Sequence, residues 1–390
     1  MPGMTPSTDL SLAGHAWLQV VVDTAALRAN LAEFRRLVRP PARLMPVVKA
    51  DGYGHGLLIA ARAFLAGGAD WFAVHSVAEA RRLRDGGFTT PVLVLGPATP
   101  AEAALAAELD CDLTVGSLAG LRAVAAAGRG RVHLKVETGV NRQGIVEAEL
   151  RDALSVLAGA PRVALVGVSS HFADIEDTTD HAFARRQRER FDAWLAQLGA
   201  AGYPDLLRHM SCSAAAVLWP DLHRDLVRVG ISAYGIWPSR ETLVSARQSG
   251  HADLALRQAL SWEVRVSQVR DVPAGETVGY GRTWLAPVDS RIAVLPVGYS
   301  DGYPRSLSGR AHVLIHGRRA PICGRICMNL CMADVTRIPA AAAGDPAVLL
   351  GRQGDDAITV EQLADWLGTI TYEVLTLPRA TWRFVEAGRA

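Results

Sequence analysis

Between residues 44 and 235 short apolar runs recur eight times, separated by Ala- and Leu-rich stretches. They are LMPVVKA (44–50), WFAVHS (71–76), PVLVLG (91–96), DLTVG (112–116), VHLKVET (132–138), ALVGVSSHF (164–172), RHMSCSA (208–214) and LVRVGISAYG (226–235). Near-continuous Val/Leu/Ile runs alternating with amphipathic helices predict strands covered on both faces, as in parallel βα units. In FARRQRERFDAWLAQLGAAG the apolar Phe183, Phe191, Trp194, Leu195 and Leu198 fall largely on one helical face, and Gly199 or Gly202 is available to end the helix. Eight units in roughly 200 residues predict an α/β fold of the (β/α)8, or TIM, barrel type rather than an open doubly wound sheet. No GxGxxG follows the first run, which weakens a dinucleotide-fold reading.

After about residue 255 the pattern changes. LSWEVRVSQVRDV, RIAVLPVGYSDGY, AHVLIHGRRAPI and NLCMADVT are strand-like runs separated by Gly/Pro turns, with one helix expected at VEQLADWLG (360–368). The predicted organisation is a barrel over 14–255 and a mainly-β domain over 256–390. A chain of 390 residues has room for both, since single cores stop growing near roughly 250–300 residues.

With 49% hydrophobic and 21% charged residues the chain reads as globular, and a net charge of +2 gives no reason to expect a nucleic acid or a membrane surface as partner. No basic n-region followed by an apolar run opens the sequence, and no stretch approaches the roughly 20 apolar residues of a membrane span. The expected location is the cytoplasm. Cys323, Cys327 and Cys331 in CGRICMNLC lack the usual CxxC spacing and a nearby histidine, so buried free thiols on a strand are expected and no metal.

Of 41 Lys and Arg residues only Lys49 and Lys135 are lysines. A buried lysine can shed its proton and act as a nucleophilic amine, whereas arginine stays charged. Barrels place reactive groups at the C-terminal ends of their strands. Lys49 stands at the end of the first run, in VVKADGYGHG. Arg142 follows the fifth, His171 lies on the sixth, Ser213 on the seventh, and Arg228 and Gly230 on the eighth. The last two strands of a barrel often carry a phosphate site, and CSAAA with RVGIS offers small residues, a hydroxyl and backbone N–H groups. A lysine at the first strand with a phosphate at the last two suggests pyridoxal 5′-phosphate.

VVKADGYGHG, LKVETGVNRQG, SSHFA, VRVGISAYGIWPS, VGYGRTW, VGYSDGYPR and GRICMNLCMADV occur in the order and rough spacing of the bacterial alanine racemases, and the chain resembles that family over nearly its whole length. The resemblance implies a fold-type III pyridoxal-phosphate isomerase that interconverts L- and D-alanine for the cell wall as a head-to-tail homodimer. On matching positions, Lys49 would carry the cofactor as a Schiff base and act as one catalytic base. Tyr280, from the partner subunit, would be the opposite base. Arg228 would face the pyridine nitrogen, and His171 would lie beside Arg228 and Tyr280. Tyr53, Ser213, Gly230 and Ile231 would hold the phosphate. Arg142 would contact the cofactor's phenolic oxygen and the substrate carboxylate, the latter helped by the partner's Met328, and Tyr299 would narrow the entrance. Lys135 matches a lysine that is carbamylated in many members and bonded to the arginine of its motif, here Arg142. Carbamylation needs an amine, so both lysines fall where amine chemistry is implied.

Three features depart from the family pattern: Asn329 in place of the more usual Asp, Asn141 in place of Gly, and a shortened tail in which Tyr372 does not match the additional phosphate tyrosine of some members. Serine or another small amino acid is therefore a possible substrate alongside alanine. The rival readings are a broader amino-acid racemase, a non-catalytic binding protein that resembles only the barrel half, and a fold-type III decarboxylase.

Overall fold

Short polar side chains start the helices of the first half. Asp23, Ser76, Thr99, Ser117 and Ser239 each accept a backbone N–H from the first turn of the helix that follows, satisfying donors that have no intrahelical partner. Between these helices run the apolar segments. The computed structural model describes residues 17–251, 253–377 and the backbone of 383–387. The first strands are β1 (Leu18–Asp23), β2 (Arg43–Pro46), β3 (Phe72–Val74), β4 (Val92–Val94), β5 (Cys111–Val115), β6 (Gly130–Lys135), β7 (Val163–Ser169), β8 (Leu207–His209) and β9 (Leu226–Val229).

Strands β3 to β8 pair in sequence order, all parallel. A parallel bridge from Val47 to Ala73 joins β2 to β3, and β2 pairs in parallel with β9, Met45 opposite Arg228. Asp225 N–H donates to the Arg208 carbonyl at 3.2 Å and Arg208 N–H to Asp225 Oδ2 at 2.8 Å, tying β9 to β8. The eight expected strands thus form a closed parallel barrel, and its active end is the C-terminal end of each strand.

The chain divides into two units, Asp23–Ala259 and a second comprising the residues before 23 and from 260 onward. Strand β1, which falls within the expected barrel range, pairs instead with β10 (Leu260–Arg265), antiparallel, Val20 opposite Trp262. Its alternation puts Val20 and Val22 into the core of the second unit. That unit is mainly β. Its larger sheet runs from Arg318–Pro321 through His312–Ile315, Pro346–Gln353, β10 and β1 to Arg383–Ala387, and a three-stranded sheet combines Gln268–Val272, Ser290–Leu295 and Cys331–Asp334. The expected helix is present as Val360–Leu367, with a second short helix, Thr371–Leu375, after it.

One local expectation holds, with Gly202 at the helix end, and another needs correction. The helix Ala182–Ala200 passes through Gly199, and Gly202, at φ 96°, makes the turn beyond its end. Only Cys331 of the three clustered thiols begins a strand; Cys323 is buried in the preceding loop and Cys327 is half-buried. No helix among the described residues is long and apolar enough to cross a membrane.

Candidate active site

Strand β2 ends at Pro46, and Lys49 opens a short turn, Lys49–Tyr53, rather than lying on the strand. Ala50, Asp51, Gly52 and Tyr53 all take left-handed conformations, φ 53°, 52°, 65° and 50°. Glu79 and Asp51 anchor this turn: Ala50 N–H donates to Glu79 Oε1 at 2.7 Å, and Arg82 Nη2 to Asp51 Oδ1 at 2.7 Å. Burial, and then the Arg142 guanidinium, lower the Lys49 pKa, against an opposing effect of Glu79. Tyr53 is buried with its ring stacked 4.9 Å from that of Tyr234.

Ser213, expected on a strand, instead begins the helix Ser213–Leu218 after β8. Its Oγ accepts from Gly230 N–H at 2.9 Å, just beyond β9, where Ile231 opens a 3-10 turn. A Cβ at Gly230 would sit 2.9 Å from the Tyr53 hydroxyl and 3.8 Å from Ser213 Oγ. The Tyr53 hydroxyl, Ser213 Oγ and the Gly230 backbone therefore meet at this point, with Ile231 next in the chain, and a side chain at position 230 would crowd them.

Across the barrel end Arg228 is buried on β9. Its Nη2 donates to the carbonyls of Ser170 (2.8 Å) and Met210 (3.0 Å), with His171 Nδ1 at 3.4 Å. Its Nη1 reaches His209 Nδ1 at 2.5 Å and the His209 carbonyl at 3.1 Å. Burial lowers its pKa to about 10, which still leaves a cation at neutral pH. Burial, then Arg228, hold His171 well below the usual histidine value, so His171 is neutral.

Beneath Arg228 lies a buried chain of polar groups that the motifs do not announce. His209 Nε2 lies 2.8 Å from His133 Nδ1, and His133 Nε2 lies 3.0 Å from Asp112 Oδ2, whose other oxygen accepts Arg131 Nε at 2.6 Å. The Asp112 carboxylate can only accept, so it receives the His133 Nε2–H. His133 Nδ1 then accepts from His209, whose Nδ1 accepts from Arg228. The chain of bonds runs one way from the guanidinium to the carboxylate. Its only sequence signal is polar residues inside apolar strand runs.

Lys135 ends β6. Burial, then Arg228 and Arg142, bring its pKa down to about 8. Arg142 is exposed on the loop after β6 and has no hydrogen-bond partner among the described residues. The start of this loop is held by the helix Ala182–Ala200: Arg190 Nη1 donates to the Thr138 carbonyl at 3.0 Å and Trp194 Nε1 to the Glu137 carbonyl at 3.2 Å. Asn141 beside it adopts φ 53°, a conformation glycine takes without cost and asparagine tolerates. Lys49, Lys135, Arg142, His171 and Arg228 are thus mutually close enough for each lysine and His171 to respond electrostatically to its neighbours.

In the second unit, Tyr280 is 73% exposed and Met328 56% exposed. Tyr280 follows Gly279, whose φ of 78° turns the chain against Gly324 and Arg325. Tyr299 N–H donates to the Cys327 carbonyl (3.1 Å), and Ser300 N–H to the Met328 carbonyl (3.0 Å). Tyr280, Tyr299 and Met328 therefore sit on adjoining loops of that unit. Asn329 Nδ2 donates to Ser300 Oγ at 2.6 Å and to Asp301 Oδ2 at 3.3 Å; an aspartate there would oppose Asp301. Tyr372 lies on the helix Thr371–Leu375, while the tail beyond residue 377 lies largely outside the described residues.

Residues 22–238 match the family model for the alanine racemase N-terminal domain, and residues 259–385 the model for the alanine racemase C-terminal domain. An alanine racemase of Desulfosudis oleivorans is 41% identical over 376 residues, spanning 93% of this chain and 94% of its own. One of Symbiobacterium thermophilum is 41% identical over 374 residues, 94% and 96% of the two chains. The crystal structure of alanine racemase from Bacillus anthracis with bound L-Ala-P superposes with a TM-score of 0.89 at 31% identity, covering 96% of each chain. That of Streptomyces lavendulae gives 0.88 at 33%, covering 96% and 98%. Because both halves match, a barrel-only binding protein is disfavoured, and relatives of this one name over nearly the full length disfavour the broader racemase and decarboxylase readings. The chain belongs to the alanine racemase family, isomerases that interconvert L- and D-alanine.

Proposed function

We propose that this racemase works with pyridoxal 5′-phosphate carried on Lys49, and that Lys49 and Tyr280 are bases on opposite faces of the alanine Cα. The observation that carries the reading is Lys49, its pKa lowered by burial, at the same barrel end as the Tyr53 and Ser213 hydroxyls that meet at the side-chain-free Gly230 backbone. The donor set fits the cofactor: hydroxyls and backbone N–H groups for a phosphate at Tyr53, Ser213, Gly230 and Ile231, and a primary amine for a carbonyl. When bound, the cofactor supplies that carbonyl and an electron sink that acidifies the substrate Cα–H.

The protein's own groups account for the rest. Lys49, its pKa lowered by burial, takes or returns a proton at one face of Cα, and the Tyr280 hydroxyl does so at the other. Two bases of different chemistry permit inversion without a proton crossing the plane. Both terminal nitrogens of Arg228 are committed to the barrel wall, so Nε is the atom it would offer to the pyridine nitrogen. A guanidinium that stays protonated has no proton to give up, and beside a ring nitrogen it would leave that nitrogen unprotonated and so moderate the electron sink. His171, neutral and beside Arg228, is an acceptor in the proton path to Tyr280. The exposed Arg142 would hold the cofactor's phenolic oxygen and the substrate carboxylate, with the Met328 backbone assisting, and Tyr299 would narrow the entrance. The marked exposure of Tyr280 and Met328 supports their acting on a partner chain in a head-to-tail homodimer. D-alanine made in the cytoplasm would feed the cell wall.

Borohydride reduction of the holoenzyme followed by peptide mapping tests the first assignment, and the pyridoxyl group is expected on Lys49 alone. Tyr280→Phe tests the second. It is expected to lower kcat by roughly 10²–10⁴-fold, the usual contribution of a general base, with loss of solvent deuterium incorporation in one direction of racemisation. Wild-type turnover in that variant would refute the two-base assignment.

A further inference from the structure

We propose that Glu79, supported by Arg82, is a positioning residue for Lys49: it clamps the left-handed turn Ala50–Tyr53 and so fixes where the Lys49 backbone leaves the barrel wall. The proposal rests on the reading of Lys49 as the cofactor-bearing lysine. Four consecutive left-handed residues, three of them not glycine, are costly for L-amino acids and persist only where surrounding bonds hold them. The bonds converge from one helix, Val77–Asp85. Glu79 Oε1 accepts the Ala50 N–H at 2.7 Å, while Oε2 accepts the N–H groups of His75 at 2.7 Å and Ser76 at 3.3 Å. Asp51 Oδ1 accepts from Arg82 Nη2 at 2.7 Å and from Leu57 N–H at 3.1 Å.

The chain contains its own control. Ser76 with Glu79 and Thr99 with Glu102 are both capping boxes. Among the described residues the Glu102 carboxylate bonds only to Thr99, through N–H at 2.9 Å and Oγ1 at 2.8 Å. Glu79 caps its helix with one oxygen and ties down the segment after β2 with the other. It is also the carboxylate that acts on the Lys49 ammonium.

The test compares Glu79→Ala with Glu102→Ala, both of which lose the carboxylate of a capping box. In Glu79→Ala we expect the Ala50 amide to exchange with solvent at least tenfold faster in the cofactor-free enzyme. The pyridoxal phosphate concentration for half-reconstitution should rise at least tenfold, and Glu102→Ala should move neither. Glu79→Gln, which keeps one acceptor oxygen, and Arg82→Ala should shift both in the same direction by less, and they carry the comparison if Glu79→Ala does not fold. Equal behaviour of the Glu79 and Glu102 variants overturns the proposal. Failure of the Lys49 reading would show separately, as a wild-type enzyme whose borohydride-fixed cofactor maps to another residue.

Discussion

Replacing Lys135 by arginine keeps the positive charge and removes the amine. At pH 7.5 a pKa of about 8 leaves about a quarter of the amines neutral, against about one in a thousand for an ordinary lysine near 10.4. Roughly 200-fold more of the nucleophilic form is therefore present than on an exposed lysine. That amine can add to CO2, forming an N–C bond and releasing a proton, and it leaves an anionic carbamate. The partner is at hand, because the Arg142 guanidinium is exposed and has no hydrogen-bond partner among the described residues. A charge-assisted bond of this kind contributes about 1.5–3 kcal/mol, which corresponds to roughly 10–150-fold at 1.4 kcal/mol per factor of ten. In Lys135→Arg the KM for alanine should rise within that range, because Arg142 loses the anion that orients it. Occupancy of the carbamate should fall as pH is lowered through about 8, since protonation removes the nucleophile. The assay is carbon NMR of wild type and variant in 13C-labelled bicarbonate. One labelled carbamate carbon per wild-type chain and none in the variant is the expected result. Absence of that signal in the wild type at saturating bicarbonate would refute the reasoning.

Gly230→Ala would place a methyl 2.9 Å from the Tyr53 hydroxyl, and pyridoxal-phosphate affinity measured by titration should fall about 10–100-fold while the fold loses no more than the roughly 1–3 kcal/mol of an overpacked site. Gly235 has φ +91° and a Cβ there would overlap the Arg257 carbonyl, so Gly235→Ala should cost more than about 3 kcal/mol in denaturant unfolding. Asp112→Asn removes the charge and leaves one acceptor oxygen for the two donors His133 and Arg131, and should destabilise by about 3 kcal/mol, as for other broken buried pairs. Burial would raise the Asp112 pKa, but the bonds from His133 and Arg131 outweigh it and hold the value below the usual one. Its stabilisation is therefore complete above the unfolded value near pH 4 and is lost as pH falls further. The acid limb of the wild-type stability curve should be steeper below about pH 4 than that of Asp112→Asn.

The barrel strands were legible because each is covered on both faces and so reads as an unbroken apolar run. Strand β1 was not, because its alternation acquires meaning only through β10 at the far end of the barrel half. Lys49, Ser213 and Arg228 could be placed because strand ends predict where barrel chemistry sits, although Lys49 and Ser213 lie just past their strands on turns and helix starts. Glu79 was hidden by an ordinary role. Ser-x-x-Glu before an apolar run signals a helix start, and nothing in the sequence says that the second carboxylate oxygen reaches Ala50. His133 and His209 were hidden in the opposite way, since a single polar residue inside a buried run gives no hint of its partner until the strands are set side by side.

The use of lysine at two positions in an otherwise arginine-rich chain has a physical explanation in the field of this barrel end. Arg228, fully enclosed, falls only to about 10 and remains charged. Lys135, less deeply placed, is brought to about 8 by burial and by the two guanidiniums, and Lys49 is lowered by burial and by Arg142. Arginine in this environment supplies the field, and lysine responds to it by releasing a proton. The same concentration of positive charge that favours neutral amines also draws in anions: the phosphate and carboxylate of the proposed ligands and the carbamate proposed for Lys135. An arginine at position 49 or 135 would keep the attraction for anions and lose the amine, so on the proposed roles of Lys49 and Lys135 these are the two places where the substitution would remove a reaction rather than a charge.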